Sequence, residues 1–281
     1  MIWAGGRVLE DDALKISARD RTFEHGLGLF ETLRTWNGRA PLLDRHLARL
    51  TRSAGQLGVP IDPAASPNAE AVAALLDANR VREDVVLRIT LTGGFNETEG
   101  STLWMRTGPL PPPIRREGAV VEHGTWKVFQ NDPIARHKTL NYWSRRQAYE
   151  SARALGYDEV LSETQSFHVG EGSRTNLFLV SGDALLTPPL EEPIVPGIMR
   201  ALVLEQAQWV ALTVVSDRVL DWEMVWLADE VFLTNSVRGI IPVARIGVTP
   251  WPAPGPRTQR LSILVNDYCQ LEETAPWDVQ A

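Results

Sequence analysis

Apolar residues recur along this chain at two periods, one suited to strands and one to helices, and the switches between them set out its elements. Trp3 beside Gly5-Gly6 predicts a strand and hairpin. Thr32 to Trp36 followed by Asn37-Gly38 predicts another, because Asn-Gly favours the positive-φ turns that join paired strands. Leu43, His46, Leu47, Leu50 and Ala54 then fall at helical spacing. They predict a helix from Leu43 that stops near Gly58, with Pro60 beyond it. A second helix is expected over residues 69–79, led by Ser66-Pro67. Over 84–92 the pattern changes to alternating β-branched residues, a strand ending at Gly93-Gly94.

The segment from Gly108 to Ile114 breaks both periods. Its three successive prolines favour an extended polyproline conformation, which predicts a linker at about 107–116. That divides the chain into a small N-terminal α/β domain, 1–113, and a larger C-terminal domain, 114–281. Beyond the linker, strands are expected near 118–121, 159–162, 176–180 and 230–233, and helices over 141–155 and 196–209. Strands and helices mixed in two lobes make this an α+β protein.

Composition narrows the class of protein. The 281 residues are 44% hydrophobic and 22% charged, enough to bury a core without staples. The single cysteine, Cys269, excludes an intramolecular disulfide and a multi-cysteine zinc site, and no metal site is expected. A net charge of −7 argues against nucleic-acid binding through phosphate contacts. No apolar run reaches the roughly 18 residues of a membrane span. No basic stretch leads into an apolar one at the start of the chain, so a soluble, cytoplasmic protein is expected. Lysine occurs only at Lys15, Lys127 and Lys138, the other basic residues being Arg, so lysine chemistry has three candidates. Lys15 is expected in an edge strand and Lys127 in a strand near the linker.

Four segments carry candidate chemistry. Lys138, in His137-Lys138-Thr139-Leu140-Asn141-Tyr142, sits where a polar segment meets an apolar, aromatic one. A lysine partly removed from water loses basicity and can form an imine with an aldehyde; an isolated lysine can equally be a solvated surface cation. Val195-Pro196-Gly197-Ile198-Met199 opens a helix whose first N–H groups can bind an anion, or is simply a helix start. Glu171 lies in a glycine-flanked turn before the apolar Leu177 to Val180. There it can hold a pyridinium nitrogen protonated, or be a turn carboxylate in water. Thr234-Asn235-Ser236-Val237-Arg238-Gly239 can supply a second phosphate contact, or be an ordinary polar turn.

Read in order, the chain resembles the class IV (fold type IV) pyridoxal-phosphate aminotransferases, a group that includes branched-chain and D-amino-acid aminotransferases and aminodeoxychorismate lyase. The resemblance runs from Arg19-Asp20-Arg21-Thr22-Phe23-Glu24-His25-Gly26-Leu27-Gly28-Leu29-Phe30-Glu31-Thr32-Leu33-Arg34 through Arg49-Leu50 with Ser53-Ala54, Arg88, Lys138, and Glu171-Gly172 with Asn176. It continues with Thr187-Pro188-Pro189, Pro196-Gly197-Ile198-Met199-Arg200, Ala228-Asp229-Glu230-Val231 and Ile241-Pro242-Val243. It implies a two-lobed fold with pyridoxal 5′-phosphate between the lobes, and a homodimer. Lys138 matches the imine lysine that shuttles the proton between the substrate α-carbon and C4′, and Glu171 the partner of the ring nitrogen. Tyr142 matches the residue that bonds the cofactor's phenolic oxygen. Arg49, the N–H groups of Ile198 and Met199, and Asn235-Ser236 match the phosphate cup together with Gly197, and Val195 is expected to pack on the ring. His25, Phe30, Thr32, Arg88, Val237 and Arg238 match positions lining the substrate pocket.

The resemblance implies a transaminase moving an amino group between an amino acid or amine and a 2-oxo acid by a ping-pong route. Two alternatives stand beside it: a lyase forming 4-aminobenzoate and pyruvate from aminodeoxychorismate, and a non-catalytic relative that binds the cofactor. Thr32 and Gly197-Ile198-Met199-Arg200 resemble the lyase. The loop Thr92-Gly93-Gly94-Phe95-Asn96-Glu97-Thr98-Glu99-Gly100, with two Glu and no Arg, does not suit its dianionic substrate.

Overall fold

The computed structural model describes residues 1–115 and 117–270, which form two compact units. One consists of Met1–Pro111 and His137–Asn141, joined by Cys269 and Gln270; the other of Pro112–Arg136 and Tyr142–Tyr268. Residue 116 of the expected linker and residues 271–281 of the expected larger domain lie outside the described residues.

The first unit is an antiparallel sheet of five strands: β1 (Ile2–Ala4), β2 (Arg7–Leu9), β3 (Gly28–Arg34), β4 (Val86–Thr92) and β5 (Leu103–Gly108), in the order β2-β1-β5-β4-β3. Three helices accompany it: α1 (Arg21–His25), α2 (Leu43–Leu57) and α3 (Ala69–Ala78). Leu43, Leu50 and Ala54 of α2 and Val72 and Leu75 of α3 pack with Leu33, Leu87, Ile89 and Met105 of the sheet. Gly58 closes α2 at φ 63°, a left-handed cap that costs glycine little. Both long helices fall where their apolar periodicity puts them.

Asn37-Gly38 does not make the expected hairpin. The turn closes only a single bridge, Trp36 to Arg39, and β3 pairs along its whole length with β4 instead. The local turn signal yields to the longer register, which buries both Leu33 and Leu87. Lys15 lies outside any strand, exposed, its Nζ donating to the Asp12 carbonyl 2.7 Å away.

Residues 137–141, expected with the C-terminal half, pack in the first unit. Phe30 N–H donates to the Lys138 carbonyl and Leu140 N–H to the Gly28 carbonyl, each at 2.9 Å. Gly28 makes this possible: at φ 133° a Cβ there would stand 2.7 Å from both Leu140 Cδ1 and the Leu91 carbonyl.

The second unit holds β6 (Ala119–Val128), α4 (Trp143–Ala154), β7 (Glu159–Thr164), β8 (Val169–Gly172), β9 (Asn176–Ser181), β10 (Ala184–Leu186), α5 (Ile198–Gln206), β11 (Thr213–Val215), α6 (Trp222–Leu227), β12 (Glu230–Asn235), β13 (Gly239–Ile246) and β14 (Thr249–Pro250). The last helix, α7 (Pro256–Gln270), follows. The sheet runs β11-β10-β9-β12-β13-β6-β7-β8, with β14 on β13. Val121, Leu161, Leu177, Leu179, Val231, Leu233 and Val243 form its core. Strand β6 runs well beyond the expected 118–121. Its register with β7 shifts between Glu122 and Trp126 around Gly124 at φ 79°, and Trp126 then packs on Ala152 and Val160. That irregularity breaks the alternation by which a strand is read from sequence. Lys127 lies in this strand, paired with Glu163. Among the described residues no helix is long and apolar enough to cross a membrane.

Candidate active site

In the first unit the candidate lysine is held by backbone. The pairing of Phe30 with Lys138 fixes the main chain at that position, and Lys138 Nζ stands 4.2 Å from the centroid of the Phe30 ring. The Arg88 guanidinium lies 4.0 Å from the same centroid. Arg88 belongs to β4 and is the register partner of Thr32 on β3, so Phe30, Thr32, Arg88 and Lys138 gather at one edge of the sheet. His137 is tied away from the lysine, its ring Nδ1 3.0 Å from Ser53 Oγ. His25 ends α1 with 64% of its side chain exposed and its ring 3.8 Å from Glu24. Among the described contacts nothing draws it to the Phe30 group.

Arg49 lies on α2, almost wholly buried, and presents a fork to Glu31 of β3. Nε reaches Oε1 at 2.8 Å and Nη2 reaches Oε2 at 2.5 Å. His46, one turn earlier, meets the same carboxylate through Nδ1 at 2.7 Å. Glu31 is fully buried, which raises a carboxyl, yet Arg49 and His46 outweigh burial and bring it down to about 2. Burial pushes His46 down while Glu31 opposes it, and its Nδ1 faces the carboxylate. Glu31 stands in the family pattern and His46 on the α2 stripe, but the sequence assigns neither a role. The available signal was parity: Glu31 lies between Leu29 and Leu33 on one face of a strand, where a carboxylate needs partners.

In the second unit Glu171, on β8, is 3% exposed, and among the described contacts it accepts from Arg145, Val195 and Asn176. Arg145 Nη2 reaches Oε1 at 2.5 Å, Val195 N–H reaches the same oxygen at 3.0 Å, and Asn176 Nδ2 reaches Oε2 at 2.9 Å. Asn176 also donates to the Val195 carbonyl at 2.9 Å, so the strand start and the Val195 turn are locked together. Gly197 approaches this asparagine so closely that a Cβ would lie 1.9 Å from Asn176 Oδ1. As the N-cap of α5, Gly197 brings no side chain to the helix's first N–H groups, those of Ile198 and Met199 among them.

Tyr142 caps α4, and its hydroxyl donates to the Ser173 carbonyl at 2.9 Å. Burial pushes it up to about 12, with Glu171 and Glu159 reinforcing the shift and Arg145 opposing it. The 235–239 turn follows β12, whose Thr234 pairs with Asn176. Asn235 Oδ1 accepts from the N–H groups of Val237 and Arg238, at 3.0 and 2.8 Å, which fixes Ser236 at the tip. The Arg238 guanidinium donates to the Pro112 carbonyl at 2.6 Å. Arg145 is the residue the sequence reading missed here. Its only trace is its place three residues after Tyr142, on the same helical face.

Known proteins are similar to this chain in sequence and fold. Residues 28–246 match the sequence profile of the family described as Amino-transferase class IV. An aminodeoxychorismate lyase of Bacillus subtilis is 28% identical over 260 residues, covering 88% of this chain and 86% of its own. A D-alanine aminotransferase of Bacillus licheniformis is 27% identical and covers 96% and 97%. The crystal structure of a branched-chain aminotransferase from Thermoproteus uzoniensis superposes with a TM-score of 0.83 at 26% identity, covering 98% of this chain and 97% of that one. The chain therefore belongs to the class IV aminotransferases, fold type IV enzymes whose cofactor is pyridoxal 5′-phosphate.

Proposed function

We propose that this enzyme moves an amino group from an amino acid to a 2-oxo acid in two half-reactions, the first product leaving before the second substrate binds. One observation carries the reading: Lys138 and Arg88 lie over the same Phe30 ring, 4.2 and 4.0 Å from its centroid. This proximity supports the reading of Lys138 as the base that moves a proton at an α-carbon and of Arg88 as the guanidinium that binds the adjoining carboxylate.

The donor set fits the cofactor. Glu171 is a buried carboxylate paired with Arg145, suited to a basic ring nitrogen. The uncapped start of α5 and the Ser236 turn suit a phosphate, and the resemblance adds Arg49 to that cup. When bound, pyridoxal phosphate supplies an aldehyde and an electron-withdrawing ring. The rest belongs to the chain. Lys138 would carry the proton from the donor's α-carbon to C4′ of the cofactor, and back in the second half-reaction. Glu171 would accept from the protonated ring nitrogen, and Tyr142 would turn its hydroxyl from the Ser173 carbonyl to the phenolic oxygen. Val195 is assigned to the ring and Thr32 to the substrate's side; the resemblance, not a contact, adds His25, Val237 and Arg238 to that side. The resemblance supports a homodimer, and the single cysteine suits a reducing compartment such as the cytoplasm.

A lyase acting on aminodeoxychorismate is the second reading. It is favoured by the Arg21–Glu97 ion pair of 2.7 Å, which offsets one of the two carboxylates in the 92–100 loop. The test is the visible absorbance of the cofactor-loaded protein during titration with L- and D-amino acids. A band that fades with one donor and recovers with a 2-oxo acid is expected, and the donor's handedness then follows. A band indifferent to every donor, with pyruvate released from aminodeoxychorismate in the absence of a 2-oxo acid, would replace transamination by the lyase.

A further inference from the structure

Glu171 has one partner that its task does not require. Two neutral donors, Val195 N–H and Asn176 Nδ2, already seat the carboxylate; Arg145 adds a full positive charge to Oε1 at 2.5 Å. The arginine is not a mobile surface cation. Only 14% of its side chain is exposed, and its guanidinium lies 5.5 Å from the Trp126 ring and 5.9 Å from the Tyr142 ring. Its Nη2 also reaches the Ala135 carbonyl at 3.4 Å. Burial acts against its charge and Glu171 outweighs it, so the guanidinium stays protonated. Other charged or titratable groups act in the same place: Arg200 from α5 feels Glu171, Tyr142 feels Glu171, Glu159 and Arg174, and Glu159 acts on Arg145. Among the described contacts, Arg145 pairs directly with Glu171.

We propose that Arg145 is a positioning residue acting through Glu171: it fixes the carboxylate, and by sharing its charge it loosens Glu171's hold on the proton of the cofactor's ring nitrogen. The inference rests on reading Glu171 as the partner of that nitrogen. A positive charge beside the carboxylate disfavours a second one on the ring, so the ring proton of this enzyme is held less tightly than opposite an unshared glutamate. The basicity of the ring, and with it the electron demand it makes on a substrate, is then set partly from α4.

The experiment loads the full chain with pyridoxal phosphate labelled with ¹⁵N in the ring and follows the nitrogen chemical shift from acid to alkaline pH. In R145Q the signal moves toward the protonated position, or its midpoint rises by about one pH unit, a tenfold gain in proton affinity. R145K keeps the charge but withdraws it from Oε1, and its midpoint rises by less. It also carries the test if R145Q does not fold. A signal unmoved in the folded variant overturns the proposal, leaving Arg145 a structural cation. E171Q separates the two layers. If it shifts the nitrogen toward the unprotonated position while R145Q does nothing, the reading of Glu171 stands and that of Arg145 falls. If E171Q leaves the nitrogen unchanged, the reading of Glu171 falls as well.

Discussion

The Arg49 guanidinium and the Glu31 carboxylate meet edge to edge inside the first unit, joining helix α2 to strand β3 through two charged hydrogen bonds of 2.8 and 2.5 Å. Both side chains are nearly inaccessible, so each charge depends on the other. Removing one partner strands the other in a low-dielectric interior, at a cost of about 3–5 kcal/mol. E31A is therefore expected to lower unfolding stability by that amount at neutral pH, in urea melts. The pH dependence has a definite sign. The carboxyl falls from 4.5 to about 2 on folding, so its contribution is present above the unfolded value and is lost as pH falls from about 4.5 toward 2. The span corresponds to about 3 kcal/mol. E31Q should flatten the acid limb of the stability profile in that window, and melts at several acidic pH values would show it.

Tyr142 should be the last tyrosine to ionise. Its hydroxyl is pushed up to about 12 by burial, and it donates to the Ser173 carbonyl. In an alkaline spectrophotometric titration, one of the four tyrosines is expected to lag the others and to vanish from the curve in Y142F. Loss of the hydrogen bond leaves the Ser173 carbonyl short of a donor and lowers stability by about 1 kcal/mol. A tyrosine titration unchanged in Y142F would contradict the assignment.

These two residues differ in how visible they are in the sequence. Tyr142 falls within a motif that also contains Lys138, and helix α4 begins directly after it. Helices α2 and α3 are legible too, because an amphipathic stripe over 10 to 15 residues outweighs local ambiguity. Glu31 and Arg145 are different. Their meaning lies in partners 18 and 26 residues away, Arg49 and Glu171, and no local period records such a pairing. Asn37-Gly38 fails in the opposite direction: a strong local signal is overridden because β3 gains a full antiparallel register with β4. The 137–141 segment follows the linker in sequence, yet it packs in the first unit because Gly28 leaves room for it.

Gly197 allows a test of the Asn176 clamp. A methyl at this position would overlap Asn176 Oδ1 and approach Arg200 Cβ to 3.2 Å. The asparagine would have to turn, releasing bonds to both Glu171 and the Val195 carbonyl. G197A is expected to lose about 1–3 kcal/mol of stability through overpacking. It should also weaken pyridoxal phosphate binding to the apoprotein, measured by tryptophan fluorescence quenching. Thermal melts with and without cofactor separate the effects, since the loss of affinity should reduce the stabilisation that the cofactor confers. Normal stability with normal affinity would mean that the clamp is not needed.

Arg88 and Lys138 share the Phe30 ring, and this pairing makes a prediction about substrate rather than cofactor. If Arg88 binds the carboxylate, the variant R88Q loses a charge-assisted interaction worth about 1.5–3 kcal/mol, a ten- to hundredfold change. The loss should appear in kcat/KM for both the amino donor and the 2-oxo acid, because each carries a carboxylate beside the reacting carbon. Apoprotein affinity for pyridoxal phosphate should be unchanged, since none of the groups assigned to the cofactor is altered. Amines without a carboxylate provide the control: their kcat/KM should be the same in R88Q and the parent enzyme. A fall for amines as large as that for amino acids would mean that Arg88 supports the Phe30–Lys138 geometry rather than reading the substrate. Steady-state kinetics with a matched amine and amino acid decide between the two, and a substrate effect confined to acids would fix the carboxylate end of the pocket on β4.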